Sequence, residues 1–171
     1  MIELFDEMLL YHGSYIAIKD IDLAKCKKGL DFGQGFYLTD IYEQAANMAR
    51  RRVSIVGKGR AIVTSFGIEE QVLNDGTLNV LKFDKPTAAW AEFILLNRDI
   101  RQPDIHHSYD VVIGPVADDG VAFQLDRYLE GIITMNELVR QLTYRKLNKQ
   151  YYFGTERSIA CLQHFGVVQT P

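Results

Sequence analysis

The residues equipped for chemistry gather in a few short runs. His12 ends an apolar stretch, "MLLYHG" (8–13), and Ser14 follows its Gly13 at once. A histidine at a strand end can offer its ring, and an adjoining glycine lets a ligand approach the backbone; a plain strand-end turn is the other reading of these residues. "GLDFGQGFYLTD" (29–40) packs three glycines, two phenylalanines and a tyrosine into one loop that leads into an apolar run. Asp31-Phe32-Gly33 has the form of the kinase metal-binding triplet, but this chain of 171 residues is too short for a kinase and lacks the HRD-type loop upstream. Gly33-Gln34-Gly35 opens like a phosphate-cradling GxGxxG loop, yet position 38 is Leu and the strand follows the glycines instead of preceding them. His106 and His107 are neighbours on an extended loop with no third ligand at a useful spacing, and a solvated loop is expected. Cys26 and Cys161 fit no metal spacing and read as inert thiols of a reducing compartment. No GxSxG elbow, HExxH pair, calcium loop or P-loop is present, which removes the common hydrolase, metalloprotease and NTPase chemistries.

The elements that must position these residues are legible from periodicity and caps. Strands are expected at 8–13, 35–39, 60–68, 77–83, 109–116 and 150–153. A helix is expected over 41–53, with Asp40 as its N-cap and Arg50-Arg51-Arg52 at its C-terminal end. "PTAAWAEFILLNRDI" (86–100) reads as a helix with Trp90, Phe93, Ile94 and Asn97 on one face and Arg98 beside them. Asp118-Asp119 can cap a helix over 121–131, and Thr134 begins another. A last helix, capped by Thr155, is expected over 156–165 and carries His164 late in its run. Helices and strands mix without regular alternation, so the fold class is α+β, in one domain spanning 1–171.

Composition narrows the partners. A net charge of −3 argues against broad nucleic-acid binding and leaves local arginines for any such contact. No apolar run approaches the length of a membrane span, and the first residues, "MIELFDE", lack the basic start of a secretory signal. The cytoplasm is the expected compartment.

Taken together, "YHGS", "FGQGFYLTD" and "NKQYYF" resemble the three signatures of the ADP-ribosyltransferase fold in its diphtheria-toxin and poly(ADP-ribose) polymerase branch. These are an HG[ST] strand, a G-x-G-[IF]-Y-[FL] strand and a final strand that bears Glu. The chain is also similar to small bacterial proteins in which "DFGxGFYLT", "WxxFILxNR", "YDVVIGPVADD" and a final Gln strand recur, in toxin–antitoxin or phage-defence settings. The resemblance implies a split antiparallel β-sheet core with flanking helices. It implies a transferase that moves ADP-ribose from NAD, with no metal, to a macromolecular acceptor, protein or nucleic acid. An antitoxin-like partner is the implied neutralising protein. By the same resemblance His12 hydrogen-bonds a ribose hydroxyl, the Gly13 backbone holds the nicotinamide carboxamide, and Ser14 supports that contact. Tyr37 would stack on the nicotinamide ring, Phe36 or Tyr42 would close its other side, and Gly33 and Gly35 would let the loop pass close to the dinucleotide. The third signature departs from the pattern: Gln150 stands where the family often carries Glu. A neutral amide lacks the charge that steadies a developing cation, so a weak or inactive member that only binds NAD or ADP-ribose is the alternative. Glu156 could supply a carboxylate from the following helix, and Asp110 and Asp118 are weaker candidates for activating an acceptor.

Overall fold

Strand β1, Glu7–Ser14, and strand β2, Phe36–Leu38, touch at a single bridge, where Tyr11 and Thr39 exchange backbone hydrogen bonds of 2.7 and 2.9 Å. On either side of this bridge a computed structural model of the chain, which describes residues 6–101, 106–143 and 145–171, builds two sheets. β1 pairs with β3 (Ile62–Glu69), which pairs with β7 (Gln163–Gln169), both antiparallel. β2 begins the second sheet, ordered β2-β6-β5-β4, with β4 at Val80–Lys82, β5 at Val111–Pro115 and β6 at Lys149–Phe153. The β4–β5 pair is parallel and the others are antiparallel, so the antiparallel core that the sequence led us to expect has one parallel edge. The helices are α1 (Tyr42–Val56), α2 (Ala88–Arg98), α3 (Asp119–Leu129), α4 (Met135–Thr143) and α5 (Glu156–Ile159). The class is α+β.

Strand alternation divides the core into layers. Leu10, Phe66 and Ile68 of the first sheet meet Phe36, Leu38, Val111, Ile113, Tyr151 and Phe153 of the second. On its other face the second sheet turns Val112 and Tyr152 towards Trp90 and Ile94 of α2, Val121 and Leu125 of α3, and Leu138 and Leu142 of α4. α1 covers the outer face of the first sheet through Ala45 and Ala46, packed with Val63. The loop residue Phe32 is fully buried in the helical layer, a burial that stabilises by about 2–3 kcal/mol and anchors the glycine-rich loop.

Several local expectations are corrected. Asp40 does not cap α1; the N-cap is Ile41, whose N–H is taken by the Thr39 hydroxyl, and Asp40 instead accepts from the Tyr151 hydroxyl. α1 runs on to Val56, where Gly57 ends it in the left-handed conformation at φ 74°, so Arg50-Arg51-Arg52 lies inside the helix. Arg50 there binds Glu43, Asn47 and the carbonyl of Pro171. β4 starts at Val80 and not at Thr77. The last helix stops at Ile159, and 163–169 joins β3 as an edge strand, which moves His164 from a helix to β7, edge-on against Phe66. Pairing with the open edge of β3 satisfies a row of backbone groups that a longer α5 would have left bare. No helix among the described residues is long and apolar enough to cross a membrane.

Candidate functional site

An antiparallel ladder alternates the edge to which successive residues turn their N–H and C=O. Tyr11 turns its pair to Thr39, so the next pair on that edge belongs to Gly13, opposite Tyr37. The ladder breaks there. The Tyr37 carbonyl accepts from His12 Nδ1 at 2.8 Å, and no bridge joins Gly13 to Tyr37, although the Gly13 N–H and C=O turn to that edge. Because a carbonyl can only accept, Nδ1 carries the proton. Burial lowers the His12 pKa against the raising effect of the Tyr37 bond, and Arg52 lowers it further, so the ring is neutral and Nε2 is a free acceptor. The ring itself stacks on Phe36 with centroids 4.3 Å apart.

The packing of α1 by itself requires a glycine at position 13. A Cβ there would overlap the Ala45 carbonyl of α1, so the glycine is the seat on which α1 crosses β1. Ser14 is buried beside it. Tyr42 packs edge-on against Tyr11 at 5.5 Å in the same layer. Phe36 is 5% exposed, between His12 and Phe66; it backs the His12 ring from the core and offers no free face.

The glycine-rich loop is fastened from the sheet. The Tyr37 hydroxyl donates to the Gly33 carbonyl at 2.7 Å and accepts from the Phe32 N–H at 3.0 Å, and burial pushes its pKa far up, so the phenol stays protonated. The Tyr152 hydroxyl, pushed up to about 12 by burial, donates to the Gln34 carbonyl at 3.0 Å. The Gln34 side chain in turn donates to the carbonyl of Cys26 at 2.9 Å. Gly33 sits at φ 97°, which suits only glycine. Gly35 is glycine because a Cβ would strike the Tyr152 ring.

His107 does not lie on a solvated loop. Its Nε2 donates to the Phe32 carbonyl at 2.7 Å and its Nδ1 accepts from the Tyr109 N–H, a pairing that fixes the neutral tautomer, and burial lowers its pKa. The Asn97 amide next to it donates to the Phe93 carbonyl, and its Oδ1 is buried without a partner.

Register brings two of the three signature side chains to one face. Tyr37 pairs with Tyr152, and Gln150 lies two residues before Tyr152 on β6, so Tyr37, Tyr152 and Gln150 all face the helical layer. His12 lies on the opposite face with Phe36 and reaches the group through the Tyr37 backbone. Gln150 donates through Nε2 to Asp31 Oδ2 at 3.0 Å and to the Pro115 carbonyl at 3.4 Å. Asp31 Oδ1 is held by Arg98 of α2 through Nε at 2.8 Å. Sequence reasoning finds in Asp31 only a fragment of a kinase-like triplet and gives it no role in the site. Its place in the same run as Tyr37 is the signal that could have found it.

The other acidic candidates lie elsewhere. Asp110 sits at the far end of the β5–β6 pair from Gln150, where it accepts from the Asn79 N–H, Thr155 and Arg157. Burial opposes its ionisation, but these bonds outweigh it and hold the carboxyl below its ordinary value. Glu156 is exposed in the first turn of α5 at that same far end. Asp118 caps α3 by accepting from the Val121 N–H at 2.8 Å. Cys26 and Cys161 are free, and burial raises both thiol pKa values, which disfavours the reactive thiolate. Among the described residues no three histidine, cysteine or acidic side chains form a metal site.

The groups near the break between β1 and β2 are the backbone edge of Gly13 and a neutral imidazole, with the fixed phenol ring of Tyr37 and the buttressed amide of Gln150 on the other face of the second sheet. Hydrogen-bonding groups and aromatic faces are the chemistry these residues can offer a ligand. The chain matches no curated protein and no solved structure. A family model described as a protein of unknown function, DUF3990, matches residues 8–164, a span that holds every residue of this site, and the chain belongs to that family.

Proposed function

We propose that the chain is an NAD-dependent mono-ADP-ribosyltransferase acting on a macromolecular acceptor, protein or nucleic acid. The supporting observation is the backbone edge of Gly13 at the point where the β1–β2 bridging stops and His12 takes the Tyr37 carbonyl. A primary carboxamide such as that of nicotinamide needs one donor for its oxygen and one acceptor for its NH2, side by side, and an extended glycine on an open edge offers that pair. Gly13 holds the carboxamide, Tyr37 gives its ring a stacking face, and the His12 Nε2 accepts from a ribose hydroxyl. The bond between ribose C1′ and the nicotinamide nitrogen then breaks, its electrons leave with neutral nicotinamide, and the acceptor's nucleophile bonds C1′ and releases its proton to solvent. Gln150, on the face of Tyr37, accepts from a ribose hydroxyl through its carbonyl oxygen.

Thermal unfolding with millimolar NAD is the first test. Binding to the folded state alone stabilises by about 2.7 kcal/mol at a hundredfold excess over Kd, so Tm rises in the wild type and His12→Ala abolishes the rise. Incubation with labelled NAD and a cell lysate is the second: free nicotinamide and label on protein, RNA or DNA are expected. A Tm rise without label or nicotinamide reduces the protein to a binding module, and no rise at all sinks the NAD site.

A further inference from the structure

Gln150 cannot choose which end of its amide faces the protein. Its two partners, the Asp31 carboxylate and the Pro115 carbonyl, only accept, so Nε2 must point inward and Oε1 outward, where it has no protein partner among the described residues. Asp31 is itself oriented, because Arg98 of α2 holds Oδ1 and thereby aims Oδ2 at the amide; the Ala117 N–H also donates to Oδ2 at 3.4 Å. The Asp31 side chain is 12% exposed and that of Arg98 30%, so the pair lies in a partly dry setting where its hydrogen bonds count.

We propose that Asp31 is a positioning residue of the site: from the glycine-rich loop it fixes and polarises Gln150 so that position 150 presents one outward acceptor oxygen to a ligand hydroxyl. The role of that oxygen rests on the NAD reading above; the coupling between the two side chains does not. A hydrogen bond to a charged partner is stronger than a neutral one, and the charge of Asp31 draws the amide protons inward, which leaves more negative charge on Oε1. The arrangement also explains why a glutamate does not stand at position 150. Two carboxylates would then face each other at the distance where Gln150 now meets Asp31, with the Pro115 carbonyl adding to the repulsion, and one of them would have to keep a proton.

The test is a charge transposition. In Gln150→Glu the new acid is expected to hold its proton well above the ordinary carboxylate range by donating it to Asp31. Stability and any NAD turnover then survive at low pH and are lost as pH rises, by up to about tenfold in turnover per pH unit above the raised pKa. Asp31→Asn alone turns its NH2 either to the Gln150 NH2 or to Arg98, donor against donor, and is expected to lower Tm. When Asp31→Asn and Gln150→Glu are combined, the amide introduced on the loop can accept from Arg98 through its oxygen and donate through its NH2 to the carboxylate introduced on β6. That carboxylate's other oxygen faces outward with its charge. The double variant is expected to regain Tm and to lose the pH sensitivity of Gln150→Glu, although the Ala117 contact is lost wherever an amide replaces the Asp31 carboxylate. Tm effects of the two single changes that simply add in the double variant, or a Gln150→Glu protein with wild-type pH behaviour, overturn the proposal. Should Gln150→Glu fail to fold, Gln150→Met makes the same distinction: it keeps the shape without the amide, and its Tm loss should vanish in an Asp31→Asn background if the pair is coupled and persist there if it is not. The Tm readings do not depend on NAD. A wild type without NAD response therefore sinks the transferase reading and leaves this coupling standing, whereas additive Tm changes in a wild type that responds to NAD sink the coupling alone.

Discussion

Tyr37 fastens the glycine-rich loop through its hydroxyl. That hydroxyl joins Gly33 and Phe32, two backbone groups that nothing else in the loop satisfies. Tyr37→Phe keeps the aromatic face and removes both bonds, and a half-buried pair of unsatisfied backbone groups costs about 1–3 kcal/mol. Urea unfolding should show the midpoint falling with an unchanged slope; a midpoint equal to the wild type's would mean that the loop does not hang on this hydroxyl. His12 uses its two ring nitrogens differently. One nitrogen holds the Tyr37 carbonyl, and the other is the ring's acceptor, the atom that the proposed NAD site uses.

At the scale of elements, the meeting of β1 with α1 is decided by a single missing atom. A methyl group at position 13 would run into the Ala45 carbonyl, which belongs to a helix backbone and cannot rotate aside. Gly13→Ala should therefore lower stability by about 1–3 kcal/mol, the range for overpacking, and push α1 off the sheet. Gly166 in β7 is the control, since a Cβ there meets nothing within 4 Å, and Gly166→Ala should unfold at nearly the wild-type midpoint. Equal effects from the two changes would refute the close-contact account. Glycine in the "YHGS" run is thus explained by helix packing.

At the scale of the molecule, two neutral histidines set the pH response near neutrality. Burial lowers both His12 and His107 from the ordinary value of 6.5. Between 6.5 and the lowered values the unfolded chain binds more protons than the folded one, so stability is full above about pH 6.5 and falls as pH drops below it. Asp110, lowered from 3.8, adds a separate loss that begins only below about pH 3.8. Tm measured from pH 8 to pH 5 should be flat and then decline, and His107→Asn should make the decline shallower; a Tm that rises on acidification through pH 6 would contradict the neutral assignment of both rings.

Local patterning determined most of the elements. β-branched alternation marked β3, the buried run "VVIGP" marked β5, and Asp118 and Thr155 cap helices where their side chains can reach the first free N–H groups. "YHGS" and "FGQGFYLTD" also marked the strands that carry the site. Three things were beyond the sequence because they depend on partners distant along the chain. The last strand formed only because β3 offered an open edge, which no local propensity of "LQHF" reveals. His107 was drawn out of solvent by the carbonyl of Phe32, 75 residues away. Asp31 met Gln150 across 119 residues because Phe32, buried in the helical layer, folds the glycine-rich loop onto the face of β6. A residue's type and its near neighbours fix what it can do, and tertiary packing decides which distant group it does it to.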